Sequence, residues 1–159
     1  MSGLAVIAEV SIGLAGFAGV FVVLTRTGSF APPERVRLQF LLYTSLGAMF
    51  LAMVPYAVFA GSWSEDIAWT VLGVLVTVHT AFLAPFLARA FLLRRDYPEL
   101  FTVRIMSVQG SQIVASFVVA VCVLLVPLEN KFSFYLAALL LLLAQATVVF
   151  TRLLFYRKS

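Results

Sequence analysis

The chain has 159 residues, of which 63% are hydrophobic and only 11% charged, with a mean hydropathy of +1.08. Soluble domains carry about 25% charged residues and about 45–50% apolar ones. The excess excludes a water-soluble globule, a disordered chain and a nucleic-acid-binding domain, and the single Cys122 excludes a disulfide scaffold.

A helix crossing the hydrocarbon core needs about 20 mostly apolar residues. Five stretches qualify, at about 3–24, 38–60, 67–93, 105–125 and 132–150, and the helices that contain them are expected over about 3–24, 38–60, 67–93, 97–125 and 132–152. None alternates with the period of two that a membrane barrel strand requires. The expected fold is therefore all-α, a single polytopic domain of five transmembrane helices with no room for a soluble domain.

Helix one is rich in small residues, with Gly13, Gly16 and Gly19 spaced by three. Lipid offers no hydrophobic force between helices, so small residues are what let backbones approach. These glycines are expected to pack helices, either between copies of the chain or within one bundle. Glu9 interrupts the apolar run and no positive region precedes it, which argues against a cleavable signal peptide.

Gly28–Ser29 and Pro32–Pro33 separate the first two helices, and Pro33 suits the first turn of the second. Helix two then carries a small face of Thr44, Ala48, Ala52 and Pro55. Ser62 to Glu65 and Asp96 to Glu99 both have the spacing of capping boxes. The second box predicts that helix four starts near Tyr97, ahead of the bilayer, with Gly110 as a point of bending. Helix three carries Thr70, Gly73, Thr77, Ala81, Ala84 and Ala88 at spacings of three and four, with Gly73 as a packing position. Pro55 and Pro85 are expected to kink their helices, and Pro127 to close the fourth.

Ten of the eleven Lys and Arg residues fall on one side of this topology, leaving Lys131 alone on the other. The positive-inside rule then puts the N-terminus outside and the C-terminus in the cytoplasm. Trp63 and Trp69 fall at the outer interface, where amphipathic rings prefer to lie. The basic cytoplasmic face is expected to meet anionic lipid or a protein partner.

Ionisable groups at membrane depth are functional candidates by default. Glu9 and His79 lie inside the spans, joined by Gln109, Gln112, Ser116 and Gln145. At about 1.5 Å per residue, His79, Gln112 and Gln145 reach a common polar layer near the midplane, with Glu9 a turn or more above. Gln109, Gln112 and Ser116 share one helix face, which suits either a water-lined stripe or an interhelical lock. His79 suits a proton relay, a pH gate or a ligand contact, or else a neutral imidazole bonded to Gln145 or Thr80. Glu9 suits an acidic ring in a homo-oligomer, or a simple helix lock.

No reactive constellation, nucleotide box or metal-ligand set is visible, so neither enzyme nor cofactor is expected. The expected function is a homo-oligomeric channel or transporter-like pore. The competing class is a non-enzymatic membrane subunit, sensor or apolar-ligand-binding protein. Stoichiometry and bound mass separate the two.

The run from Ala8 to Gly19, AEVSIGLAGFAG, resembles the first helix of small, uncharacterised bacterial multi-span membrane proteins. That likeness covers a dozen residues, implies the bacterial inner (plasma) membrane and implies no activity. Length and span number are similar to the small tetrapyrrole- and sterol-binding receptor family, whose Trp- and Pro-rich motifs are absent.

Overall fold

The computed structural model describes residues 2–24 and 31–155. Arg26, the Gly28–Ser29 break, Arg157 and Lys158 lie outside the described residues. Every element among the described residues is a helix: α1 (Ser2–Leu24), α2 (Pro32–Ala60), α3 (Glu65–Ala81), α4 (Ala84–Leu93), α5 (Val103–Leu125) and α6 (Leu128–Phe155). With α3 and α4 counted together, five segments are long and apolar enough to cross a membrane.

α2 and α6 form the centre. α6 packs against α1, α2, α3 and α5, while α2 packs against α1, α3, α4 and α6. Small residues line this spine: Thr44, Ala48 and Ala52 of α2 and Ala138 and Ala146 of α6 are fully buried. Leu41, Leu72, Val76, Val123, Leu139 and Leu142 fill the space between them. The outer surface is apolar as well, with Phe17, Phe50, Met53, Ile67, Leu92, Val114 and Val118 all exposed. A bundle with apolar residues both inside and outside suits lipid rather than water.

α2 starts earlier than its apolar stretch. Pro32 and Pro33 occupy its first positions, and Glu34 and Arg35 donate to the Ala31 carbonyl at 3.0 and 3.1 Å. Proline lacks the N–H that a first turn leaves unpaired, so the helix begins there readily. Pro55 leaves α2 continuous but removes the donor that the Leu51 carbonyl would otherwise receive. The Tyr135 hydroxyl of α6 donates to that carbonyl instead.

The expected third span is divided. The Leu83 N–H turns to Thr80 O at 3.1 Å, Pro85 has no N–H to offer Ala81 O, and α4 begins at Ala84. The predicted kink at Pro85 is thus an interruption of the helix at Phe82 and Leu83. The early start expected for the fourth span is not observed. α5 begins at Val103, where the Thr102 hydroxyl accepts from Ile105 N–H at 3.4 Å. The turns before it are held by Arg37, a buried arginine of α2. Its guanidinium donates to Leu100 O at 2.8 Å and lies 5.4 Å over the Phe101 ring. Residues 98–100 lie in turns closed by Leu100 N–H and Phe101 N–H on Tyr97 O.

Other sequence expectations shift as well. Ser64, not Ser62, occupies the N-cap of α3, without a capping bond from its side chain. Trp63 is exposed, but Trp69 is buried edge-on among Phe59, Phe132 and Tyr135.

Candidate functional site

The small-residue positions divide sharply. Gly73 is where α3 meets α5: a Cβ there would lie 2.5 Å from Leu124 Cδ2 and 3.4 Å from Val123 Cγ1. Gly13, Gly16 and Gly19 have nothing within 4 Å of a Cβ position, so they pack no helix among the described residues. α1 faces the bundle through Leu4, Ile7, Ser11 and Ala18 instead. Glu9 is exposed and shares the open face with Gly13 and Gly16.

The expected polar layer is split. Gln145 of α6 donates through Nε2 to Gln112 O at 3.0 Å and to Ser116 Oγ at 2.6 Å. Ser116 in turn donates to Gln112 O at 2.8 Å. These three groups tie α5 to α6, while Oε1 of both glutamines is buried without a partner. Gln109 sits apart, half-buried in a small hollow with Arg37, Phe101 and Val149. Gln145→Leu is expected to cost about 0.6 kcal/mol and no more than about 1.7, the range of interhelical hydrogen bonds in membranes. Equilibrium unfolding in mixed micelles measures it, and a larger loss would give the cluster more than a locking role.

His79 belongs to neither group. Thr80 donates to Val76 O and Thr77 O, both at 2.9 Å, so the expected Thr80–imidazole bond is absent. Gln145 is likewise committed to α5. The imidazole instead stacks on Tyr43 of α2, with centroids 4.4 Å apart and planes 7° from parallel. Gly47, one turn further along α2, receives the edge of the ring; a Cβ there would overlap Cε1 and Nε2. His79 Nε2 is buried with no hydrogen-bond partner. The helix break explains the pairing, because Leu83 has left the His79 carbonyl and the Tyr43 hydroxyl donates to it at 3.2 Å. Phe86 of α4 continues the column, 5.5 Å from Tyr43 and 5.7 Å from Phe40.

Around this column lies a groove of about 820 Å³ between α2 and the α3–α4 pair. From α2 it takes Gln39, Tyr43, Leu46, Gly47, Phe50 and Val54, which recur at spacings of three and four along one face. Leu75, Val78, His79, Phe82, Phe86 and Arg89 form the facing wall. Leu46, Phe50, Val78 and Phe82 are exposed, so the groove opens on the outside of the bundle. Its few polar groups are Gln39 and Arg89 at one end and Tyr43 and His79 along its length.

Of the residues singled out from sequence, only His79 belongs to this groove. Tyr43, Gly47 and Phe50 were missed. Their spacing was present in the sequence, but in a chain this apolar every helix face offers a similar stripe. Comparison with family models, curated proteins and solved structures finds no match.

Proposed function

We propose that the chain is a five-span integral membrane protein that holds an apolar ligand in the α2/α3–α4 groove without catalysing a reaction on it. The observation that carries this reading is the groove itself. Its volume of about 820 Å³ falls within the roughly 300–1,000 Å³ of small-molecule sites. It is lined mostly by apolar and aromatic groups with a few polar ones, the usual composition of such sites. The Tyr43 hydroxyl is engaged on the His79 carbonyl and its ring covers the imidazole. That arrangement supports a packed wall rather than an acid–base pair.

The apolar outer surface supports residence in a bilayer, and the positive-inside rule supports a cytoplasmic position for the end bearing Arg35, Arg89 and Arg104. A bacterial inner membrane with the N-terminus outside is the matching placement.

Native mass spectrometry of the protein released from nanodiscs tests the reading. A discrete small-molecule adduct is expected on the wild type. Leu46→Trp with Val78→Trp, which fill the mouth, should reduce it at least about tenfold, a loss of about 1.4 kcal/mol. An adduct that survives both substitutions would remove the groove as its site.

A homo-oligomeric pore is a second reading, favoured by the exposed Glu9 beside the open Gly13 and Gly16. A carboxyl on a bilayer-facing surface is costly, and a second copy would shield it. The same spectra decide: a closed oligomer free of adducts would favour the pore.

A further inference from the structure

The groove continues beyond Gln39 and Arg89. Both residues also line an adjoining hollow of about 470 Å³ with Pro32, Arg35, Val36, Leu92 and Leu93. The two hollows adjoin at Gln39 and Arg89, the first lined mostly by apolar residues and the second bearing both Arg35 and Arg89. No acidic residue among the described residues lines the second. Arg35 and Arg89 are both exposed and make no ion pair among the described residues. Arg37, the buried arginine of this region, is spent on Leu100 and Phe101. Arg35 and Arg89 thus line the same hollow without a counter-charge among the described residues, together with Gln39.

Along α2 the groove runs from Gln39 to Val54, about 22 Å at the helical rise. Half the hydrocarbon core is about 15 Å, so an acyl chain of one leaflet fits within it. A neutral apolar molecule would fill the groove but leave the two arginines without a counter-charge. A phosphate there suits the planar, bidentate donors of arginine.

Resting on the groove reading, we propose that the occupant is an anionic phospholipid, with one acyl chain in the groove and its phosphate between Arg35 and Arg89. The second chain stays in the bilayer through the open mouth beside Leu46 and Phe50. His79 and Tyr43 form the wall against which the buried chain lies.

The full chain in nanodiscs of equimolar phosphatidylglycerol and phosphatidylcholine with identical acyl chains provides the test, with retained lipid read by native mass spectrometry. Phosphatidylglycerol should be retained at least about tenfold over phosphatidylcholine, whose choline cation offsets the phosphate charge and is repelled by the two arginines. Arg35→Gln with Arg89→Gln should abolish the preference while leaving a lipid adduct. Both positions are exposed, so the fold is not at risk. Equal retention by the wild type would overturn the anionic head and leave the groove reading standing. A preference that persists in the double variant would also overturn it, by placing the charge recognition elsewhere. Absence of any lipid adduct would remove both.

Discussion

Gly47→Ala is expected to destabilise the protein by about 1–3 kcal/mol, the usual cost of forcing atoms into a filled space. The site is a glycine because the His79 ring occupies the place of a side chain. Tyr43 lies flat against that ring, so the imidazole can give way only by leaving the stack toward the groove. Ejecting it also gives up the stack, worth about 0.5–1.5 kcal/mol, and leaves the groove wall without its shape. His79→Ala loses the same stack but creates the room that a methyl group on Gly47 would need. The double variant is therefore expected to be more stable than the sum of the two single losses allows, by at least about 1 kcal/mol. Equilibrium unfolding of the wild type, the two single variants and the double variant in mixed micelles reads this coupling. Additive losses would mean that the imidazole does not rest on Gly47.

Tyr135→Phe is expected to cost about 1–3 kcal/mol, the penalty for orphaning a buried acceptor. Phenylalanine keeps the ring packing against Trp69 and removes only the hydroxyl that serves the Leu51 carbonyl. That carbonyl depends on Tyr135 because Pro55 has no N–H to give it. Pro55→Ala restores the helical donor, so in that background the same Tyr135→Phe change should cost less than about 1 kcal/mol. Equal costs in both backgrounds would show that the tyrosine matters for another reason. The two residues come from different helices, so the pair also measures how α6 braces α2.

These two pairs show what was readable in the sequence and what was not. Five long apolar segments follow from composition alone, because a backbone in lipid has few other solutions. Pro85 marked the place where α3 ends, and Gly73 marked a close helix approach. Small residues at Gly13, Gly16 and Gly19 signalled the same approach but make none among the described residues. Spacing identifies a face without saying what it meets. The Asp96–Glu99 box is not used as a helix start, and the segment after it is instead tied to α2 by Arg37 through the Leu100 carbonyl and the Phe101 ring. His79 was visible as a polar residue at depth, yet its partners Tyr43 and Gly47 lie on another helix. Their relation depends on how α2 meets the α3–α4 break, which no local pattern encodes. The depths of Gln112 and Gln145 pointed to their pairing, whereas His79 at a similar depth bonds to neither.

The groove is tested most directly by a phospholipid carrying a photoreactive group midway along its acyl chain, with the adducts mapped by peptide mass spectrometry. Occupancy of the groove predicts labels concentrated on Tyr43, Leu46, Gly47 and Phe50 of α2 and on Val78 and Phe82 opposite. Labels spread equally over the other exposed faces, such as Val114 and Val118 of α5, would contradict a bound ligand there.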